Sequence, residues 1–350
     1  MPDSSRTQPV AFNCEGGLVL NRSNFIMQPG EALELENFEP DISGGYRRIS
    51  GFRKYVNAIV PQTSSSSELL LMVAKFDNKV LAARGEKIFS AASAELSIAI
   101  ASGTGMTGSG TITVPSTTGF SSSGTLQINS ELFTYTGVTS TTFTGVTRAT
   151  SSTTAATHAK LDVVSESWTE RDTGRTSAKK YNFERFNFDG NEKIILVDQT
   201  NAPVVFNTSL SATDVSTSSV VGSTVVAAYR NHMFYAGKST TPQEIVFSEP
   251  FNEDGFSSGA GAGSIKVDDT VVALKVFRDS LFIFCENRIF KLTGSSLSDF
   301  AVQPVTRNIG CVNGFTVQEF AGDLIFLGPD GLRTVAATAR IGDTELGTIS

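Results

Sequence analysis

The sequence has few of the residues that build metal sites and catalytic triads. It contains two histidines, three cysteines and one tryptophan among 350 residues. Cys14, Cys285 and Cys311 are far apart and form no CxxC pair, so neither a zinc site nor a disulfide framework is supported, and we expect buried thiols. His158 and His232 are accompanied by no nucleophile motif, so we expect incidental roles for them. We therefore expect no metal and no cofactor.

Charge and long apolar runs are also scarce. Charged residues make up 18% of the chain and the net charge is −7. The best apolar run, Leu69–Ala74, is far shorter than the roughly 18 residues of a membrane span, and the N-terminus has no apolar core of a secretion signal. We expect no membrane-spanning segment. An acidic chain is also a poor candidate for binding nucleic acid through its phosphates.

Phenylalanine is abundant, at 25 residues, and recurs in short alternating runs that are typical of β-strands. Five segments share one plan of strand, anchor aromatic, polar turn and further strands. The anchor aromatics are Phe76, Phe188, Tyr229, Phe277 and Phe320. The last four are spaced by 41, 48 and 43 residues, close to the roughly 40–50 residues of a four-stranded propeller blade. The spacing predicts an all-β fold, a β-propeller of about five or more blades.

One segment interrupts the period. Phe76 and Phe188 are 112 residues apart, but excluding the 69 residues 96–164 leaves 43. From Gly103 to Thr157, 35 of 55 residues are Gly, Ser or Thr, with alternating apolar residues between them, which favours a small inserted β module over a flexible linker. We expect an N-terminal arm with first strands over 1–67, the propeller over 68–95 plus 165–350, and the inserted module over 96–164.

Residues before the repeat include a basic cluster and one candidate helix. The acidic start of Gln28–Asn37 predicts a helical turn. Arg47, Arg48, Arg53 and Lys54 are candidate subunit-interface residues, the alternative being contact with a phosphate backbone. Closure of the ring stays open between a strand such as Ile49–Tyr55 and a larger blade set, since Ala339–Ser350 ends in an unfinished strand pattern.

Short motifs along the chain resemble the tail nozzle, or tail tubular B-type (stabilisation), proteins of short-tailed bacteriophages. The N-terminal motifs are Gly16–Leu18, Gln28–Ala32, Leu35, Asn37–Phe38, Gly44–Gly45 and Arg47–Arg48. The later ones are Val246–Pro250, Ile265, Asp268–Asp269, Leu281–Phe284, Glu286, Ile289–Gly294, Ile309–Gly310 and Phe326–Leu332. The segments Gly110–Phe120, Phe133–Gly137 and Thr142–Thr147 are similar to a small β module of phage tail proteins.

This resemblance implies a virion structural protein of the tail, assembled in the host cytoplasm. It implies a homo-hexameric ring that contacts an adaptor or other tail proteins, and through which DNA passes without specific binding. A net-acidic subunit suits that passage, because a lumen wall that bound phosphates would retain the DNA. We accordingly expect more Asp and Glu than Lys and Arg on the channel-facing surface.

Two other functions stay open. A propeller glycoside hydrolase would use carboxylates such as Glu249, Glu253 and Asp254, or Asp268 and Asp269, but needs two of them on opposite faces of a sugar. A receptor-binding or glycan-binding tail component would use the inserted module. The GxGxxG match at Gly103–Gly108 is followed by β alternation instead of a helix, which argues against a dinucleotide site. We expect that the protein is not an enzyme.

Overall fold

The computed structural model describes residues 16–19, 23–28, 30–41, 45–63, 68–176 and 179–335. Cys14, Pro29, Gly44 and the strand pattern expected over Ala339–Ser350 lie outside these residues. The chain divides into two compact units, Met1–Lys54 and Tyr55–Ser350. Strands take up 47% of the residues and helices 3%, so the expected all-β class is confirmed.

Among its described residues, the N-terminal unit contains two small strand pairs and one 3-10 helix at Asn24–Ile26. Strand β1 (Gly17–Leu18) pairs in parallel with β2 (Glu31–Ala32), and β3 (Phe38–Pro40) pairs antiparallel with β4 (Tyr46–Arg48).

The helical turn expected over Gln28–Asn37 is wrong. Gly30 has a φ of 91°, which ends any right-handed helical path, and the Glu31 carboxylate accepts a hydrogen bond from the Gln28 N–H at 2.8 Å. The acidic residue therefore closes a tight turn before β2.

Five antiparallel sheets, numbered in chain order, make up the described part of the larger unit together with an inserted module. Sheet 1 contains β5 (Leu70–Phe76), β6 (Lys79–Arg84), β7 (Lys87–Glu95) and β14 (Thr169–Asp172). Sheet 2 contains β15 (Asn182–Phe188), β16 (Asn191–Val197), β17 (Val204–Asn207) and β18 (Ala212–Asp214). Sheet 3 contains β19 (Val225–Tyr229), β20 (His232–Ala236), β21 (Glu244–Phe247) and β22 (Gly263–Lys266).

Sheets 4 and 5 continue this pattern. Sheet 4 contains β23 (Val271–Phe277), β24 (Ser280–Cys285), β25 (Ile289–Thr293) and β26 (Ala301–Thr306). Sheet 5 has three strands within the described residues: β27 (Gln318–Phe320), β28 (Asp323–Gly328) and β29 (Gly331–Thr334). Two further 3-10 helices lie at Ser258–Ala260 and Gly314–Thr316.

Each anchor aromatic ends the first strand of its sheet. Phe76, Phe188, Tyr229, Phe277 and Phe320 are the last residues of β5, β15, β19, β23 and β27. A tight hairpin turn follows each of them, with left-handed residues such as Asn78, Gly190 and Asn231. The spacing of aromatics and turn residues therefore located all five first strands.

Consecutive sheets pack face to face through four separate apolar cores. Sheets 1 and 2 share one core, sheets 2 and 3 a second, sheets 3 and 4 a third, and sheets 4 and 5 a fourth. Such packing lets every internal sheet bury both faces, which a lone sheet cannot do. This is the packing order of propeller blades, and closure of the ring stays a prediction.

The inserted module has six strands and its own core. The strands are β8 (Thr107–Thr113), β9 (Gly124–Ile128), β10 (Glu131–Tyr135), β11 (Gly137–Val138), β12 (Thr142–Thr147) and β13 (Val163–Glu166). Leu126, Phe133, Phe143 and Val146 are fully buried in the core, which excludes a flexible linker.

Strand β7 joins the module to sheet 1. Its first half pairs with β14, where Phe89 lies opposite Glu170. Its second half pairs with β13, where Ala94 lies opposite Val164. Because β13 also pairs with β9, module and sheet 1 form one ten-stranded sheet.

The unit boundary falls after Lys54, earlier than the expected boundary at residue 67. Residues 55–63 belong to the larger unit because side chains hold them there. The Asn57 amide donates to the carbonyls of Gln127 at 2.8 Å and Val163 at 2.7 Å, and the Trp168 indole donates to the Ala58 carbonyl at 2.9 Å.

Residues 49–63, all of them described, contain no strand, so a ring-closing strand over Ile49–Tyr55 is wrong. In the described part of the chain no helix is long and apolar enough to span a membrane.

Candidate functional site

The predicted basic cluster lies on and after the β3–β4 hairpin. Arg47 is exposed and its guanidinium donates to Glu39, directly opposite in the hairpin, at 2.9 Å. Arg48, Arg53 and Lys54 are also exposed. Arg47 therefore has a carboxylate partner within its own unit, and a role for these four residues between subunits stays a prediction.

The N-terminal unit also exposes large apolar side chains. Phe25 is 98% exposed and Phe52 is 95% exposed, and Ile26 is also exposed. Scattered exposed apolar residues are common, but fully exposed phenylalanines in so short a unit are typical of surfaces that bind another protein.

A cavity of about 470 Å³ lies where the first strands of sheets 2, 3, 4 and 5 approach one another. Glu184 of β15 and Lys275 of β23 line it. Burial raises the pKa of Glu184 to about 7, although Lys275 and a hydrogen bond from the Ala228 backbone favour the charged form. Of the lining residues, all of them described, Glu184 is the one carboxylate. The cavity therefore does not supply the carboxylate pair that glycoside hydrolysis needs.

The acidic loop after β21 is engaged in local structure. Glu249 accepts hydrogen bonds from the Ser257 N–H at 2.9 Å and the Asn252 amide at 3.2 Å. Glu253 forms an ion pair with Lys193 of sheet 2. Burial and the neighbouring Glu253 raise the pKa of Asp254. These contacts fix the loop against its own sheet and the preceding one.

The second acidic pair holds a turn. Asp269 accepts from the N–H groups of Thr270 at 2.8 Å and Asn287 at 2.7 Å, and Asp268 pairs with Arg288. These contacts hold the Asp268–Asp269 turn against the turn at Asn287 and Arg288. Both acidic groups that we singled out from the sequence are therefore engaged in local contacts.

Cys285, Cys311 and His232 are buried. Burial raises the pKa of the Cys285 thiol to about 12 and also raises that of Cys311, so neither is a reactive thiolate near neutral pH. His232 Nδ1 lies 2.6 Å from the Ser248 carbonyl oxygen, and its ring packs edge-on against Phe247 and Phe300. These groups contribute to packing.

A buried charged cluster in the module was missed by the sequence analysis. Glu131 of β10 is fully buried and accepts two hydrogen bonds from the Arg148 guanidinium, at 2.9 and 2.8 Å. His158 Nε2 lies 2.8 Å from the same carboxylate, and the N–H groups of Ala149 and Ala156 donate to it at 3.1 and 2.9 Å. Arg148 and His158 therefore both contact the Glu131 carboxylate beside the apolar core of the module.

Arg148 extends this cluster to neighbouring loops. Its guanidinium also donates to the carbonyls of Ala101 at 2.8 Å, Thr104 at 3.1 Å and Ala156 at 2.7 Å. Burial alone would raise the pKa of Glu131, but the hydrogen bonds from Arg148, Ala156 and His158 outweigh it and lower the pKa to about 2. The cluster fixes three loops of the module. One signal was available: Glu131 and Arg148 are the only charges between 103 and 157.

Among the described residues no group of three or more His, Cys, Asp or Glu side chains is arranged to hold a metal ion. The geometry thus presents exposed apolar surfaces and structural ion pairs, and its charged groups serve mainly to hold loops and strands in place.

Comparison with known proteins finds only distant structural similarity. No protein-family model and no curated protein matches the chain. Among solved structures, phage phi92 endosialidase is 14% identical, covering 77% of this chain and 54% of its own length, with a TM-score of 0.41. Saccharomyces cerevisiae Sqt1 is 10% identical over 76% of this chain and 83% of its own, with a TM-score of 0.35. The chain therefore spans about half of the endosialidase, and likenesses this weak identify neither a family nor a function.

Proposed function

We propose that the chain is a structural subunit of a bacteriophage tail, arranged with other copies in a ring-shaped nozzle through which DNA is ejected. The proposal takes its starting point from the sequence resemblance to tail nozzle proteins. It implies a hexamer and contacts with an adaptor or other tail proteins, and it gives the chain no catalytic role.

The observation that carries the proposal is the exposure of Phe25 and Phe52. Exposing both rings to water costs free energy that burial in an interface would recover, about 2 kcal/mol for each phenylalanine. An obligate ring with interfaces above about 2,000 Å² per pair would bury such residues. The basic residues Arg47, Arg48, Arg53 and Lys54 would then lie at the polar rim of the same interface.

The charge of the chain supports passage of DNA rather than its retention. With a net charge of −7, few phosphates can be neutralised, so affinity for duplex DNA at physiological salt should be weak. DNA anisotropy measured at low and physiological salt tests this point, and tight binding that persists at physiological salt would contradict it.

The oligomeric state of the full chain tests the proposal directly. Native mass spectrometry and particle images should show closed rings, six copies being expected. Phe52→Ser should shift the protein towards smaller species, whereas the matched variant Ile98→Ser, at an exposed position of the module, should not. Monomers at micromolar concentration for the unsubstituted chain would contradict the proposal.

Two alternatives predict different outcomes. A glycan-binding tail component would form monomers or trimers and bind oligosaccharides through the module. Against this, Phe133, Tyr135 and Phe143 of the module are buried, so they offer no aromatic face to a sugar. A glycoside hydrolase would release reducing ends and lose this activity in Glu249→Gln or Glu184→Gln.

A further inference from the structure

The five anchor aromatics occupy equivalent positions, and four of them are covered in the same way. Phe76, Phe188, Tyr229 and Phe277 are between 0% and 8% exposed. Each lies in the apolar core that its sheet shares with the next sheet along the chain. The side chain at this position therefore marks the face that a following sheet covers.

Phe320 is the exception, because it is 66% exposed. The register of sheet 5 places Phe320 beside Asp323, Ile325 beside Thr334, and Leu327 beside Leu332. Since side chains alternate along a strand, these residues share one face of the sheet. The opposite face carries Leu324 and Phe326, which are fully buried against sheet 4. We call the first face the Phe320 face.

The first strand of sheet 1, at the other end of the stack, also has an exposed face. The residue three positions before the anchor points towards the preceding sheet: Val226, Leu274 and Val317 are buried in the cores shared with sheets 2, 3 and 4. In sheet 2 this position is the exposed Arg185. In sheet 1 it is Val73, which is 56% exposed, and Lys75 lies two residues further along the same face. Further across the sheet on that face Ala82 and Phe89 are buried, so its exposed part is the first strand. We call this the Val73 face.

We propose that the Phe320 face of one copy packs on the Val73 face of a second copy of this chain. The contact would repeat the pairing of anchor aromatic and apolar residue that joins sheets 2 to 3, 3 to 4 and 4 to 5. Charge complementarity favours it, because Asp323 lies beside Phe320 and Lys75 lies on the Val73 face. Such a contact is head-to-tail, which generates a ring or a filament.

This inference rests on the self-association in the proposed function and names the surfaces that meet. Cross-linking tests it in full-length protein carrying Cys14→Ser, with the buried Cys285 and Cys311 retained. Protein with Val73→Cys is mixed with protein carrying Phe320→Cys and oxidised. We expect a disulfide-linked pair of chains, and no such pair when Ile98→Cys replaces Val73→Cys.

Three outcomes would overturn the inference. A doubly substituted chain that cross-links within itself, with no link between mixed chains, would show that the two faces meet in one copy. Absence of both links in protein that still forms rings would leave the proposed function standing and place its interfaces elsewhere. Monomers throughout would contradict both proposals.

A second set of variants does not depend on disulfide geometry. Phe320→Asp and Val73→Asp should each raise the dissociation constant of the assembly at least tenfold, because a carboxylate would be buried in an apolar contact. Both positions are exposed in the single chain, so circular dichroism should remain that of the parent. Ile98→Asp is the control, and equal dissociation constants for all three variants would contradict the proposal.

Discussion

The buried cluster of Glu131, Arg148 and His158 permits the most quantitative prediction. Replacing Glu131 by Gln removes the negative charge but keeps the shape of the side chain. Arg148 then stays buried without its counter-charge, a change that typically costs about 3–5 kcal/mol. We expect the module to lose most of its stability in Glu131→Gln, and the sheets outside it to change far less.

The pH dependence of the same cluster has a defined sign. The pKa of Glu131 is about 2 in the folded chain and 4.5 for the free side chain. A lowered pKa contributes stability above pH 4.5, and this contribution is lost as the pH falls from 4.5 towards 2. The difference corresponds to about 3 kcal/mol. In Glu131→Gln this acid-dependent loss should disappear.

Hydrogen exchange followed by mass spectrometry is the suitable assay, because it reports the module separately from the sheets. Peptides from β9, β10 and β12 should exchange faster in Glu131→Gln, while peptides from β20 and β24 serve as internal controls. The double variant Glu131→Leu with Arg148→Met should be more stable than either single variant, because no unpaired charge is left. If the double variant lost as much protection as the two single variants together, the cluster would not act as a unit.

Three other substitutions test separate parts of the fold. Asn57→Ala should lower the free energy of unfolding by about 1–3 kcal/mol, because the Gln127 and Val163 carbonyls lose the hydrogen bonds from the Asn57 amide. Hydrogen exchange of β9 and β13 should then accelerate, and unchanged rates would contradict this. Ionising the Glu184 carboxyl, whose pKa is raised to about 7, costs folding free energy above that pH. Urea titrations of Glu184→Gln should therefore show a stability gain of up to about 3 kcal/mol at pH 8 and no change at pH 4. Gly310→Ala should lower the melting temperature by several degrees, because its Cβ would collide with the backbone of Glu286 and Asn287, whereas Gly103→Ala, with open space around it, should not.

The first strands of the sheets could be predicted because their signals are local. An alternating apolar run followed by an aromatic and a turn residue appears within about ten residues of sequence, as in Val271–Phe277 and Arg278–Asp279. The inserted module was predictable for a related reason, since its composition differs sharply from that of the repeat.

Features that depend on distant residues could not be predicted. Asn57 and Trp168 draw residues 55–63 into the larger unit across more than 100 positions of sequence. Glu131 meets Arg148 and His158 across 17 and 27 positions. The wrong helix over Gln28–Asn37 shows the converse, because Pro, Gly and acidic residues begin a turn as readily as a helix.

The division of β7 between two pairings has a mechanical consequence. Its residues 88–90 belong to a blade-like sheet and residues 93–95 to the module, with continuous backbone between them. A pulling force on the module would thus load the backbone of β7 directly and strain the hydrogen bonds of β7 to β6 along the strand. No hinge separates the two parts, so a displacement of the module would be passed on to sheet 1 instead of being absorbed by a linker.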